Sequence, residues 1–343
     1  LLVNVNDYIM GGKIVTIKDV AKQAGVSVAT VSRAINQPEK LSADTLAAVN
    51  EAISILNYTP NSLGRSLRRA ATGNILALLP TVSNSFYGKV VSGMDEAADK
   101  LGLDVLICNT YLKPEKERYY LSLLEKHSFD GAIILASALP AKELAEISRR
   151  FPVVFACEYV PGVSAPRVCI DDQKAGFDAT SYLIGRGHKR IAFVGDGSSE
   201  RQYSAKLREE GYRLALFEAG IPADEAIILH ESISYAAGRR AAKRLLAADV
   251  RPGAVFCAAD SIAVGMAAGC KEAGLDICGD ISIMGFDDIQ ISRVYMPNIS
   301  TVSQPRVMLG HKALELLHRR ISGDSQPETI VLEHTLKIRN STR

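Results

Sequence analysis

The chain has 343 residues, 47% of them hydrophobic and 23% charged, which suits two or three globular domains and excludes a disordered or fibrous protein. No apolar run approaches the ~18 residues a membrane span needs, so no membrane partner is implied. The formal net charge of +2 is unevenly spread: residues 13–72 hold eight Lys/Arg against four Asp/Glu, and the rest is nearly neutral. A basic head on a neutral body fits a polyanion-binding module joined to something else.

Residues 1–12 lack the basic start, apolar run and cleavage site of a secretory signal. Met10 followed by Gly-Gly-Lys reads as a start, so residues 1–12 are taken as a leader or tag. The six cysteines are widely spaced, without a Cys-x-x-Cys pair, and most sit in apolar runs. That pattern predicts buried free thiols in a reducing cytoplasm, with no disulfide framework and no zinc site.

In residues 16–34, Thr16 caps a first helix, with Asp19 as a short capping-box partner, and Ile17, Val20, Ala21 and Ala24 form its apolar face. Gly25 stops it, and Ser27 caps a second helix. There Val31, Ala34 and Ile35 point inward, leaving Val28, Ala29, Ser32 and Arg33 outside. Ser42 caps a third helix, whose Leu46, Val49, Ile53 and Leu56 close a three-helix core before Pro60. Small residues on an exposed helix face allow close approach to the DNA major groove. Arg33 can pair bidentately with guanine, and Val28 and Ala29 can pack on thymine methyls. Ser27, Thr30, Ser32 and Asn36 suit phosphate oxygens. A helical bundle with no nucleic-acid role fits the same spacing.

Residues 61–68 read as one helical turn or two, too short to be stable alone and weakened further by Gly64. Arg65, Arg68 and Arg69 place positive charge beside it.

From Gly73 the pattern alternates strand and helix. Strand-like runs fall at 75–80, 105–108, 131–137, 153–157 and 167–172, then at 190–196, 226–232, 253–260 and 281–288. Helical patterns fall at 90–101, 115–127 and 141–150, then at 206–219, 236–247 and 262–273. Two successive βαβ arrays predict two parallel, doubly wound sheets, an α/β body of two lobes behind a small all-α head. Ligands of such sheets bind beyond the carboxyl ends of the strands. Polar residues gather there: Phe86 and Tyr87, which could stack on a ring, with Ser137, Glu158, Arg208, Asp260 and Asp287. Each has a plain alternative, since strand-end Asp residues often cap helices and an Arg can simply brace a carboxylate.

The segments TIKDVAKQAGVSVATVSRAIN and NYTPNSLGRSL closely resemble the head of the LacI/GalR family of transcriptional regulators. The resemblance continues through HKRIAFVG, GYRLALFEAG, AVFCAAD, SIAVGMAA, ISIMGFDD and ISTVSQP, so it spans residues 16–343. It is greatest to the cytidine-responsive branch, on PNSLGRSLRR, LDVLICNT, FACEYVPGVSAPRVCIDD and KIRNSTR. The resemblance implies a two-lobed body like that of periplasmic binding proteins. It also implies a helix-turn-helix domain at 13–60 and a hinge helix and linker at 61–73. The first lobe would comprise 74–171 with 304–330, the second 172–303 with 331–343. It places Val28, Ala29 and Arg33 at base-reading positions, with Thr16 among the DNA contacts. Asn61, Leu67 and Arg68 fall on the hinge, Leu67 being the wedge pushed into the minor groove. Effector positions fall on Phe86, Tyr87, Ser204, Arg208, Asp260 and Asp287. Cys157 stands where many members have aspartate, with Glu158 beside it, and Ile233 replaces an aromatic of the purine-responsive member.

No phosphate loop, nucleophile elbow, metalloprotease motif or full dinucleotide fingerprint occurs, so neither catalysis nor a cofactor or metal is implied. The expected protein is a dimeric cytoplasmic repressor, binding a pseudo-palindromic operator and switched by a nucleoside or sugar between the lobes. The alternative is a small-molecule-binding protein without DNA function.

Overall fold

A computed structural model describes residues 15–58, 71–196, 203–247, 251–324 and 326–343. The hinge residues Asn61, Leu67 and Arg68, and the side chain of Asn36, lie outside the described residues. The chain divides into two compact units at Ala70 and Ala71.

The first unit contains α1 (Ile17–Ala24), α2 (Val28–Asn36) and α3 (Ala43–Ile55). The Asp19 carboxylate accepts from the Thr16 N–H at 2.8 Å and its hydroxyl at 2.7 Å, fixing the start of α1. Gly25, at φ 66°, ends α1 and turns the chain into Ser27, whose hydroxyl accepts from the Thr30 N–H at 3.1 Å. Val20, Ala21, Val31, Ala34, Val49 and Ala52 are buried together, with Ile17, Ile35, Leu46, Ile53, Leu56 and Tyr58 closing the rim. The end of α3 corrects the sequence reading, which put the stop at Pro60. Asn57 adopts φ 47°, its N–H bonds the Ser54 carbonyl, and the Tyr58 N–H reaches the Ile53 carbonyl. This pair of reverse bonds satisfies the last carbonyls and terminates the helix at Ile55, five residues before Pro60.

The second unit is two stacked α/β lobes. The first sheet has the order β11-β5-β4-β3-β1-β2, built from β1 (Asn74–Leu79), β2 (Asp104–Asn109), β3 (Gly131–Ile134), β4 (Val153–Ala156), β5 (Arg167–Ile170) and β11 (Thr329–Leu332). All its pairings are parallel. Ile75, Ala77 and Leu79 face α4 (Ser85–Leu101) and α12 (Arg306–Ile321), while Leu76 and Leu78 face α5 (Pro114–Glu125) and α6 (Ala141–Arg150). The near-continuous apolar runs of the sequence follow from burial on both faces.

The second sheet runs β12-β10-β9-β8-β6-β7, from β6 (Ile191–Gly195), β7 (Ile228–His230), β8 (Ala254–Cys257), β9 (Ser282–Phe286), β10 (Ser300–Ser303) and β12 (Thr335–Lys337). One face carries α7 (Asp172–Gly185) and α8 (Tyr203–Glu218), the other α9 (Tyr235–Leu246) and α10 (Asp260–Glu272). A short α11 (Gln290–Val294) follows β9. Here β12 departs from an all-parallel sheet, pairing antiparallel with β10. The cause is connectivity: β11 ends at the lobe junction, two residues later β12 begins there, and it must run against the strands that point toward the junction.

Three segments cross between the lobes: β5 into α7, β10 into α12, and β11 into β12. Two sequence boundaries shift. Leu332 still pairs with Ile170 in the first sheet, so the last crossing comes after 332 rather than after 330. Thr72 and Gly73 belong to the body, because their N–H groups donate to the Asp130 carboxylate at 2.7 Å each. The linker therefore ends before them, not at 73.

The pairing of α7 with α8 is close, as are those of α4 with α12 and α9 with α10. A Cβ on Gly176 would fall 2.3 Å from the Arg208 carbonyl oxygen, and one on Gly211 2.0 Å from that of Gln173. Only glycine at both positions lets the two backbones touch, which brings Asp172 and Arg208 into register. All six cysteines are free thiols, five of them buried. Among the described residues no helix is long and apolar enough to cross a membrane. No group of three or more His, Cys, Asp or Glu among them could hold a metal ion.

Candidate functional site

Two surfaces concern function. On α2, Val28, Ala29 and Arg33 are exposed along one face, Val28 to 41%, while Val31 and Ala34 are buried on the other. This is the separation that the 3.6-residue period dictates once the small core claims one side. Ser27 is exposed and Thr30 and Ser32 are half-buried. The Ser27 and Thr30 hydroxyls lie 2.9 Å apart and the Thr16 hydroxyl donates to Asp19, so these polar groups also shape the helix starts.

The second surface is the junction of the lobes, where the carboxyl ends of both sheets meet. Glu158 comes from the first lobe, just past β4, where Cys157 takes φ 69° and turns the chain. Its carboxylate accepts from the N–H of Ser204 at 2.7 Å and from its hydroxyl at 3.0 Å. Ser204 lies in the first turn of α8, so this acid bridges the lobes and sits where the helix dipole favours negative charge. Beside it Tyr159 and Tyr203 meet edge to face at 5.2 Å, and the Arg167 guanidinium covers Tyr159 at 4.3 Å. Burial pushes the Glu158 carboxyl up to about 7, against its bonds from Ser204.

On the second lobe, Arg208 is 6% exposed. Its Nε donates to Asp172 Oδ1 at 2.7 Å and its Nη1 to the Ala258 carbonyl at 2.7 Å, and its guanidinium lies 3.7 Å from the Phe286 centroid. Phe286 belongs to a row of rings, Tyr212, Phe193, Phe256 and Phe286, that fills the core beneath the site. Asp287, at φ 104° after β9, accepts from Gln304 Nε2 at 2.8 Å, and burial raises its carboxyl to about 6 despite Arg208. Tyr87, half-buried, faces this group: its hydroxyl is held above the usual range by burial, then by Glu158, Cys157 and Asp287.

The structure therefore brings Tyr87, Glu158, Ser204, Arg208 and Asp287 together. Three other residues from the sequence reading are engaged elsewhere. Ser137 donates its hydroxyl to Glu117 on α5, tying that helix to the loop after β3. Asp260 is fully buried and fastens the β9–α11 turn, accepting from Thr301 Oγ1 at 2.6 Å and the Ile289 N–H at 2.8 Å. Phe86 is 5% exposed in the first-lobe core and meets Tyr87 edge to face at 5.3 Å. Ile233 packs on the second-lobe core. Reasoning from sequence missed Asp172 and Gln304. The doubled acid of Ile170-Asp171-Asp172 was a signal for the former, since only Asp171 is needed to cap α7 through the Lys174 N–H at 2.8 Å.

Asp288, beside Asp287, is held by Arg293 and Arg339 at 2.5 Å each, and its own carbonyl accepts from Arg306 at 2.7 Å. This cluster locks the turn that aims Asp287.

Known proteins match the segments in which both surfaces lie. Residues 16–61 match the bacterial regulatory proteins of the lacI family, and residues 72–340 match the periplasmic binding proteins and sugar binding domain of the LacI family. The chain is 34% identical over 330 residues to the HTH-type transcriptional repressor CytR of Escherichia coli (strain K12), covering 96% of each. The structure is similar to that of the lac repressor dimer bound to operator and the anti-inducer ONPF, with TM-score 0.86 and 26% identity, covering 96% of this chain and 99% of that one. It also resembles the complex of transcriptional regulator CelR with cellobiose, with TM-score 0.71 and 28% identity over 95% and 99% of the two chains. With a matched regulatory head, a matched ligand-binding body and such relatives, the chain belongs to the LacI family of bacterial regulatory proteins and is a ligand-responsive, DNA-binding transcriptional regulator.

Proposed function

We propose that the protein is a dimeric repressor, acting in the cytoplasm on a pseudo-palindromic operator. One short helix reads only a few base pairs, so useful specificity needs two heads. In this reading Val28, Ala29 and Arg33 read base edges. Thr16, Ser27, Thr30, Ser32 and Asn36 hold phosphates, and Asn61, Leu67 and Arg68 act in the hinge. The effector is a nucleoside or sugar seated at the lobe junction, touched by Tyr87, Glu158, Ser204, Arg208 and Asp287. Ser137, Asp260 and Phe86 brace the elements that carry these contacts. The ligand is bound and returned unchanged.

The observation that carries this reading is the buried bond between the lobes, Glu158 accepting from the Ser204 N–H and hydroxyl, with the buried Arg208–Asp172 pair in the second lobe. A ligand there touches both lobes at once, so its differential affinity for their two arrangements can bias the heads. Arg33→Ala should weaken operator binding by about 1–3 kcal/mol and relax the preference at one base position. Selection of binding sites from a random DNA pool tests it, and an unchanged recovered consensus would reject α2 as the reading helix.

A further inference from the structure

The turn after β9 is held from far along the chain. Asp287 and Asp288 both take positive φ, 104° and 53°, a backbone region that favours glycine. Such a turn persists only where its surroundings over-determine it. The Asp287 N–H donates to the Val302 carbonyl at 2.8 Å, which fixes the entry. The exit depends on Asp288, which is 1% exposed. Its carboxylate accepts from Ser303 Oγ at 3.1 Å, and from Arg293 Nη2 and Arg339 Nη2 at 2.5 Å each. Against burial, the bonds from Arg293 and Arg339 hold the Asp288 carboxyl below the usual range, whereas burial raises Asp287 beside it. One acid anchors the turn, and the other is presented by it.

The two arginines are not equivalent. Arg293 lies on α11 with its side chain 55% exposed, and water screens a cation so open. The Arg339 side chain is 18% exposed, and its Nη1 also donates to the Ile299 carbonyl at 2.8 Å. Its backbone is fastened in turn, because the Arg339 N–H donates to Ser300 Oγ at 2.8 Å. Two residues on, the fully buried Ser341 stitches the neighbouring strands. Its hydroxyl donates to the Ile283 carbonyl at 2.6 Å and accepts from the Ser300 N–H at 2.8 Å, and its carbonyl accepts the Ile283 N–H at 2.7 Å. Residues 339–342 therefore form a strap across the starts of β9 and β10, at the opposite end of those strands from the junction. From there the Arg339 side chain reaches Asp288.

We infer that Arg339 is a positioning residue of the effector site: without touching the ligand, it sets the affinity of the junction by holding Asp288 and so the aim of the Asp287 carboxylate. The inference rests on the reading of Asp287 as an effector contact and deepens it. The role needs arginine rather than lysine, because one rigid guanidinium spans from the Ile299 carbonyl to Asp288, whereas an ammonium bonds as a point charge.

Isothermal titration of the full chain with cytidine, adenosine, ribose and glucose selects the tightest probe for a double-mutant cycle. Arg339→Gln should weaken its binding at least about tenfold. In an Asp287→Asn background, itself weakened, Arg339→Gln should change the affinity less than about twofold, because the carboxylate it aims is gone. A merely structural role would instead cost the same factor in both backgrounds. Arg339→Lys keeps the charge and serves if Arg339→Gln fails to fold; it should still weaken binding at least about threefold. The crystal structure of either variant should show the Asp287 carboxylate parted from Gln304, and this reading stands even where Asp287→Asn binds too weakly to titrate. An affinity that neither folded variant changes, equal losses in both backgrounds, or an unmoved carboxylate would overturn the inference while leaving Asp287 as an effector contact. Asp287→Asn binding the probe as tightly as the original, or no probe binding a chain that still binds DNA, would instead remove the effector reading, and this inference with it.

Discussion

Replacing Asp172 by alanine probes the centre of the site. The change leaves the Arg208 guanidinium with its side chain 8% exposed, still bonded to the Ala258 carbonyl and stacked on Phe286, but without its ion partner. Removing one member of a buried pair typically costs about 3–5 kcal/mol, because the survivor remains desolvated. The retained carbonyl bond and ring contact place this case at the lower end, about 3 kcal/mol. For a body of this size that lowers the unfolding midpoint by roughly 5 °C. The pair itself adds little net stability, because taking both charges out of water costs about as much as their attraction returns. Exchanging both partners, Asp172→Ala with Arg208→Met, should therefore restore the midpoint to within about 1 kcal/mol of the original. Differential scanning calorimetry of the three proteins reads both numbers. A single variant that melts within about 1 °C of the original, or a double variant no better than the single, would refute the account of this pair.

In the head, Val31→Ala removes two methyl groups from a fully buried position and should cost about 2 kcal/mol. That is a large share of what so small a unit possesses, so operator binding should fall sharply while the melting of the body stays where it was; a gel-shift titration beside calorimetry checks both halves. The raised acids also set a pH dependence. Glu158 near 7, Asp260 near 8 and Asp287 near 6 bind protons in the folded state that the unfolded chain has already released above about pH 4. Their contribution is thus fully present below the unfolded values and is lost as pH rises through about 6–8. Glu158→Gln should flatten the fall in stability between about pH 5 and 7, by up to about 1.4 kcal/mol per pH unit, since there the folded state holds a proton that the unfolded chain has released. Parallel curves for the two proteins would count against it.

The two-lobed architecture was legible because both sheets are buried on both faces, leaving nine apolar runs bounded by polar turns. Three helices of the body escaped the sequence reading: α7, α12 and the five-residue α11. In α7, Ala175, Ala179 and Leu183 recur every fourth residue, but small alanines and two glycines make a weak stripe. The stripe of α12 is strong, Leu309, Ala313 and Leu317, yet it lies where the chain changes lobes, after a short strand rich in Ser and Thr, β10, that makes no apolar run. At the site, residue types were legible and commitments were not. Asp260 and Asp287 look alike in sequence, each ending a strand. Only the fold reveals that Thr301 and the Ile289 N–H occupy the first, whereas the second turns toward Arg208 and Tyr87. Ser137 went astray in the same manner, its partner Glu117 lying 20 residues away on a helix.

The central claim is that one molecule couples the lobe junction to the DNA-reading helix. Its most direct test is the operator dissociation constant of the full chain, measured with and without a saturating junction ligand. The account predicts a change of at least about tenfold, some 1.4 kcal/mol of coupling, with ligand affinity changed by the same factor when operator is bound. A ligand that binds with measurable heat yet leaves the operator constant unchanged would contradict it.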